Sequence, residues 1–259
     1  ASAWAPVLAA DRGSTLARAR RYLIVRPDAS GRVHVVFERW GTGGKAELLP
    51  QLARELVAAK VDLIATLSSI DAAAAMQATS TVPIVMIFSG LDPVEEGFVK
   101  SFARPGGNVT GISSRAAELA PKRLDVLKML IPRLHRVWFV YQDSEITATA
   151  ALANLREAAR QLQIELLLRA INDPAELALV LKDAKPGDAV LAPAIDTSGI
   201  SAAIFNVARI PSIFPTAQWV ERGALVSYGP DLRAQGIQSA RLIAKILRGT
   251  RPQDLPVEG

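Results

Sequence analysis

Apolar positions follow two different spacings along this chain, and segments of the two kinds alternate. Short runs rich in β-branched residues, such as residues 82–88 and 109–112, are typical of strands that are buried on both faces of a parallel sheet. Longer stretches, such as residues 46–60 and Leu232–Leu247, carry apolar residues three and four positions apart, as amphipathic helices do. Because the two patterns alternate, the sequence predicts an α/β fold with parallel sheets flanked by helices.

The alternation runs through two successive cycles of strand and helix, which predicts two Rossmann-like lobes. In the first cycle, apolar residues spaced along 94–102 predict a short amphipathic helix. In the second cycle, Asp173 and Pro174 predict the cap and the first turn of another helix. Ahead of both cycles, residues 21–25 and 32–40 have the composition of two strands. The remaining predicted strands are 61–66, Arg136–Tyr141, 164–171, 189–194, 213–215 and 224–228, and the remaining predicted helices are 71–78, 116–130, 146–162 and 198–208.

Composition narrows the classes of function without choosing one. The chain has 259 residues, half of them hydrophobic, which is enough to build two lobes with cores of their own. No apolar run approaches the ~18–20 residues of a membrane-spanning helix. The absence of cysteine excludes disulfides, thiolate metal sites and a cysteine nucleophile. The net charge of +5 comes from scattered basic residues with few aromatic residues among them, so we predict no nucleic-acid partner.

The sequence offers little that could support catalysis. The two histidines, His34 and His135, lie within and just before predicted strands, and neither follows the carboxyl end of one. Neither the GxSxG elbow nor the phosphate-binding GxxxxGK[ST] motif occurs, and no group of His, Asp and Glu has the spacing of metal ligands. We therefore predict a protein that is not an enzyme and that uses no cofactor and no metal.

Residues 92–113 read DPVEEGFVKSFARPGGNVTGIS, and this segment resembles the signature of a family of ABC-transporter substrate-binding proteins, in particular the members that bind aromatic amino acids. The run ARPGGNVTG is the most specific part of the resemblance, which extends from about residue 33 onwards and is weak before it. Further matching segments are ELLPQLARELVAAKVDLIA, ELAPKRLDVLKMLIP, SYGPDL and KILRGTRPQDLPVE.

The resemblance implies the type I periplasmic-binding-protein architecture, in which two lobes enclose a ligand cleft. Lobe 1 would be discontinuous and consist of residues 1–112 plus 230–259, whereas lobe 2 would comprise residues 113–229. The first 32 residues show no clear counterpart of the apolar strand that opens the fold in relatives. The resemblance therefore implies a first lobe that is incomplete at the N-terminus, with an unpaired sheet edge.

Polar residues that directly follow the predicted strands are the candidate ligand contacts. Open α/β sheets bind ligands outside the carboxyl ends of their strands, where side chains and helix N-termini converge. Each of these residues also has an ordinary alternative role as a helix cap or a turn residue. Trp219 is interpreted as covering the edge of a lobe. Thr216 directly follows the predicted strand 213–215. The candidates are Thr66, Ser68, Ser69, Ser89 and Asp92 in lobe 1 and Gln142, Asp143, Ser144, Asp196 and Gln218 in lobe 2.

The resemblance implies that the protein is the solute-binding component of an ABC importer. Its lobes would close by a hinge motion on a small amino-acid-like or aromatic ligand, and its partners would be the permease and ATPase subunits. The resemblance also implies a periplasmic or exported monomer, with lipid anchoring left open. One alternative is a ligand-sensing domain of a regulator or sensor with the same fold, which would need a signalling partner domain. Another is an α/β enzyme, which turnover of a ligand would support.

Overall fold

The computed structural model describes residues 46–142, 146–194, 199–208 and 210–259, together with the backbone of two strands near the start of the chain. These strands, β1 (Arg21–Pro27) and β2 (Val33–Arg39), pair as an antiparallel hairpin in which Arg21 lies opposite Arg39. The prediction of two strands in this region is confirmed.

A three-stranded parallel sheet follows in the chain, with the order β3-β4-β5. The β-branched runs of the sequence form its strands because they are buried from both faces. The observed bounds of these strands differ from the predicted bounds by one to three residues. The elements of this sheet are β3 (Ile64–Thr66), β4 (Ile84–Ser89) and β5 (Val109–Ser113), and its helices are α1 (Leu49–Ala58), α2 (Ser69–Ala78) and the later α8 (Leu232–Leu247).

Both faces of this sheet are covered, because successive residues of a strand point to opposite sides. Ile84 and Met86 pack with α1 and α2 on one face. Val85 points to the other face, where it packs against Leu242 and Ile246 of α8. The last long helix therefore lies on the first sheet, although the whole second sheet separates the two in sequence.

The second sheet has five parallel strands in the order β7-β6-β8-β9-β10. Helices again cover both faces: Val137 and Phe139 of β6 pack on one side, and Trp138 and Val140 pack on the other. The strands are β6 (Arg136–Tyr141), β7 (Glu165–Ala170), β8 (Ala189–Leu191), β9 (Ser212–Phe214) and β10 (Val226–Ser227), and the helices are α3 (Leu119–Leu130), α4 (Ile146–Gln161), α5 (Leu177–Val180), α6 (Ile200–Val207) and α7 (Gln218–Glu221).

The predicted helix at residues 94–102 is wrong, because this segment consists of turns. Asp92 Oδ1 accepts a hydrogen bond from the backbone of Val94 over 2.8 Å, and Gly97 adopts a left-handed backbone with a φ of 72°. Both features favour a compact turn over a continuous helix. Val99 nevertheless packs into the core beneath the first sheet, which explains the apolar spacing.

The helix predicted after Asp173 is present but broken into short pieces. Asp173 and Glu176 form a reciprocal capping box, and Pro174 occupies the first turn, as predicted. Only α5 is α-helical there, and it is flanked by two short 3-10 turns.

Residues near the end of the sequence extend the first sheet. Ile112 of β5 forms a parallel bridge with Glu258, and the Thr110 hydroxyl donates to the carbonyl of Leu255 over 2.9 Å. Within the described part of the chain, no helix is long and apolar enough to cross a membrane.

Candidate ligand-binding site

The strand order of the second sheet marks a place where a ligand site is expected. The order β7-β6-β8-β9-β10 reverses direction between β6 and β8. In doubly wound sheets, helices diverge at such a switch point and leave a crevice at the carboxyl ends of the strands.

A cavity of about 380 Å³ opens between the two sheets on this side of the molecule. This volume lies at the small end of the range typical for ligand pockets, about 300–1,000 Å³. The cavity takes residues from the ends of β3, β4 and β9, from the loop after β8, and from helices α6, α7 and α8. The lining residues are Leu67, Ile87, Phe88, Ala194, Ser201, Pro215, Thr216, Gln218, Trp219, Leu232 and Gln235.

Trp219 forms a rigid apolar wall of the cavity. Its side chain is only 7% exposed, and its ring stacks on Phe214 with the centroids 5.1 Å apart. Phe205 completes the aromatic cluster at 5.6 Å, and the Arg222 guanidinium lies 4.8 Å from the centre of the Trp219 ring. Aromatic and cation–π contacts of this kind hold a ring in one orientation. A flat apolar ligand would therefore meet a surface that is already ordered.

Among the described residues, buried polar atoms of two cavity side chains, Thr216 and Gln235, have no hydrogen-bond partner. They are Oγ1 of Thr216, which follows β9, and Oε1 of Gln235, in the first turns of α8. A buried polar atom without a partner costs about 1–3 kcal/mol, so proteins rarely retain one without a reason. Hydrogen-bonding groups of a bound ligand would remove this cost.

Gly229 fixes the position of the wall that carries Thr216. A side chain at Gly229 would overlap the carbonyl oxygen of Pro215, so only glycine permits this close approach of two backbone segments. The neighbouring Tyr228 N–H donates to the Phe214 carbonyl over 2.9 Å, which holds the same two segments together.

Gln218 is the candidate from the sequence that lines the cavity. It lies at the start of α7 and is exposed. Thr66 directly precedes the cavity residue Leu67. Thr66 is 2% exposed, and its hydroxyl has no hydrogen-bond partner in the described part of the chain. Gln142 is half-buried directly after β6, at the switch point.

The other candidates in the first sheet make hydrogen bonds within the protein. Ser68 caps α2 by accepting from the Asp71 backbone over 3.2 Å. The hydroxyls of Ser69 and Ser89 are hydrogen-bonded to each other over 3.1 Å. Asp92 caps its turn and lies 3.6 Å from the guanidinium of Arg115. Direct ligand contact by these residues stays a prediction, and Asp143, Ser144 and Asp196 lie outside the described residues.

Sequence reasoning missed Gln235 and gave Trp219 only an edge-covering role. A signal for Gln235 exists, because it begins the buried stripe of α8 that continues through Ser239, Leu242 and Ile246. A glutamine at the start of a stripe that packs on a sheet is unusual unless its amide has a partner. No comparable signal marks Trp219, since the sequence does not show which side of α7 faces the second sheet.

The described residues contain no group of His, Cys, Asp and Glu that could hold a metal ion. The cavity residues among them provide hydroxyl, amide and apolar surfaces. These groups suit reversible binding of a small molecule by shape and hydrogen bonds.

The fold and the cavity together define the class of protein. Two parallel α/β units flanked by helices, with a small-molecule cavity between their sheets, form a type I periplasmic-binding architecture, as predicted. Residues 36–259 match the family described as ABC transporter substrate binding protein, and the chain belongs to this family. The family consists of binding proteins, which is a non-enzymatic class.

One curated relative and two solved structures illustrate the similarity. A tyrosine-binding protein from Clostridioides difficile (strain R20291) is 30% identical over 214 residues, which are 80% of this chain and 60% of that protein. The chain therefore spans about 60% of the length of this curated relative.

Two solved structures are similar at the level of the fold and are 25% or more identical to this chain over the matched regions. The ABC domain in complex with L-Trp from Streptococcus pneumoniae is 25% identical, with a TM-score of 0.70 over 83% of this chain and 75% of that chain. The ligand-free, open structure of a substrate-binding protein with adhesive properties from Clostridium difficile is 27% identical, with a TM-score of 0.55 over 82% of this chain and 73% of that chain.

Proposed function

We propose that this protein is the solute-binding component of an ABC importer. It captures a small amino-acid-like or aromatic ligand between two lobes, closes around it by a hinge motion and delivers it to a membrane permease that works with an ATPase subunit. We further propose that it acts as a monomer in the periplasm or at the outer face of the cell. Lobe 1 would comprise residues 1–112 and 230–259, and lobe 2 would comprise residues 113–229.

The observation that carries this proposal is the cavity between the two sheets. It combines an aromatic wall at Trp219 with the buried, unpartnered polar atoms of Thr216 and Gln235. Apolar lining with a few fixed polar groups is the usual composition of a small-molecule site. The volume of about 380 Å³ suits a ligand of amino-acid size better than a peptide or an oligosaccharide.

The relatives support the ligand class. One curated relative is a tyrosine-binding protein, and one similar structure holds L-Trp.

The packing of α8 supports the proposed division into lobes. Leu242 and Ile246 of this helix pack against the first sheet, and the Ser239 hydroxyl donates to the Ile87 carbonyl over 3.4 Å. The chain thus returns to the first sheet after completing the second, as a discontinuous lobe requires.

Thermal unfolding against a panel of amino acids, aromatic acids and small sugars tests the proposal. A ligand at a hundred times its Kd should stabilise the protein by about 2.7 kcal/mol, which shifts the unfolding midpoint by several degrees. A shift confined to aromatic amino acids is the expected result. A panel that produces no shift with any compound at millimolar concentration contradicts the proposal.

A pair of glutamine variants separates cavity binding from unspecific stabilisation. Gln218→Ala removes an exposed amide at the cavity, and we expect the ligand-induced shift to become smaller. Gln77→Ala removes an exposed amide from α2, away from the cavity lining, and serves as the matched control with an unchanged shift. Equal ligand-induced shifts of the unfolding midpoint in the two variants would contradict ligand binding next to Gln218.

A further inference from the structure

The cavity wall restricts the charge of the group that it can hold. Within the described residues, every side chain that lines the cavity is uncharged. An ionised group that loses its hydration shell needs an opposite charge or several hydrogen bonds to compensate. This part of the cleft is therefore suited to the neutral portion of a ligand, such as the ring of an aromatic amino acid.

Gln235 adds a requirement for hydrogen bonding. The residue is 7% exposed and lies one turn into α8, whose first turn is capped by Asp231 through bonds to the backbone of Arg233 and Ala234. The helix is also packed on the first sheet, so the position of Gln235 is fixed from both ends. Its Oε1 atom is buried and has no hydrogen-bond partner among the described residues.

A carbonyl oxygen can only accept hydrogen bonds, so the atom that complements Gln235 Oε1 must be an N–H or O–H group. The unpartnered Thr216 hydroxyl can donate or accept and places no further restriction on the ligand. Trp219 and Phe88 supply apolar ring surfaces around these polar atoms. The complementary ligand group is a flat ring system that carries a donor.

We infer that Gln235 is a specificity-determining residue that selects aromatic ligands carrying a ring N–H or O–H, such as an indole or a phenol, over ligands that lack this donor. The inference rests on the proposed function and deepens it by naming the group that is recognised. A site built to hydrogen-bond a substrate group rejects analogues without that group, because its own polar atom is then left buried and unpaired.

Calorimetric titration with two pairs of probes tests the inference. The first pair is L-tyrosine and L-phenylalanine, which differ by the phenolic O–H. The second pair is L-tryptophan and 3-(3-benzothienyl)-L-alanine, in which sulfur replaces the indole N–H without a large change of shape. In at least one pair, we expect the wild-type protein to bind the donor-bearing member at least about tenfold more tightly.

The variant Gln235→Met removes the amide while keeping a side chain of similar length. We expect it to fold, since it also removes an unpaired buried atom, and to bind the two members of each pair within about threefold of one another. Gln238→Met, a half-buried glutamine of the same helix that does not line the cavity, is the matched control and keeps the wild-type preference.

The outcomes distinguish the inference from the proposed function. If the wild-type protein binds amino acids of both pairs without preference, or if Gln235→Met keeps the full preference, the role of Gln235 is refuted while the receptor function stands. If none of the four probes binds to the wild-type protein, both the aromatic ligand class and the role of Gln235 are refuted.

Discussion

The polar groups at the end of the first sheet and those at the cavity wall differ in their hydrogen bonding. Ser89 is fully buried, shares a hydrogen bond with Ser69 and donates to the Leu91 carbonyl over 3.2 Å. Ser113 donates to the same carbonyl over 3.0 Å. In contrast, the buried Oγ1 of Thr216 and Oε1 of Gln235 have no hydrogen-bond partner within the described residues.

The difference separates two uses of buried polar groups. A group whose hydrogen bonds are made within the protein stabilises the turn after β4 and has little capacity left for a ligand. A group without a partner destabilises the free protein and gains when a ligand supplies one. The Thr66 hydroxyl, at the last residue of β3, also has no partner among the described residues, so Thr66 resembles Thr216 and Gln235 although it lies in the first sheet. The hydrogen-bonding state, more than the position after a strand, indicates where a ligand is held.

The largest expected effect comes from Gly229→Ala, which would move the cavity wall. The new methyl group would overlap the Pro215 carbonyl oxygen, so the segment that carries Thr216 must shift. We expect the free energy of unfolding to fall by about 3 kcal/mol and ligand binding to be lost, as measured by urea denaturation and calorimetry.

Gly236→Ala is the matched control for this change. Gly236 lies in α8, and an added methyl group there would meet no other atom within 4 Å. Replacement of a helical glycine by alanine should raise the free energy of unfolding by about 0.5–1 kcal/mol and leave binding unchanged. A loss of stability in Gly236→Ala as large as in Gly229→Ala would show that the cavity wall is not the cause.

A smaller effect is expected from Ser89→Ala, which removes a buried hydroxyl whose hydrogen bonds are made within the protein. The change removes the partner of Ser69 and one donor to the Leu91 carbonyl in a fully buried place. We expect the free energy of unfolding to fall by about 2 kcal/mol. Ser80→Ala, an exposed serine after α2, should stay within about 0.5 kcal/mol of the wild type. Similar free energies of unfolding for the two variants would mean that the hydrogen bonds of Ser89 do not stabilise the protein.

The smallest effect on stability, with the opposite sign, is expected from Thr216→Val. The change removes an unpaired hydroxyl, so the ligand-free protein should gain up to about 1 kcal/mol while its affinity for ligand decreases. Thr110→Val is the same substitution at a threonine whose hydroxyl donates to Leu255, and it should lose about 1 kcal/mol. Urea denaturation measures the free energy of unfolding of both variants. Changes of the same sign would contradict the difference between partnered and unpartnered hydroxyls.

The sequence predicted the bounds of two regular elements without error. The helix Leu232–Leu247 and the strand Arg136–Tyr141 have the predicted bounds. Residues 94–102 were predicted wrongly, because an apolar spacing of three or four also arises when turns fold over a core. The strand predicted at 224–228 shrinks to Val226–Ser227, since only these two residues pair in register with β9.

The candidate site was predictable only in outline. The rule that ligands lie at the carboxyl ends of strands identified Gln218 and the neighbourhood of Thr216. It could not identify Gln235, because that residue comes from a helix that reaches the cavity only after the chain has crossed back to the first sheet. It also could not distinguish Ser89 from Thr216, since the difference between them lies in their three-dimensional partners.

The bridge between Ile112 and Glu258 has a consequence for how the molecule is made. The five-stranded sheet draws all its strands from one continuous stretch, Arg136 to Ser227, whereas the first sheet needs residues about 145 positions further along to satisfy Thr110. Contacts so distant in sequence carry a large loop-closure entropy and form late. During synthesis, the second sheet can therefore assemble as the chain emerges, whereas the β5 edge of the first sheet stays unpaired until Leu255 and Glu258 have been made.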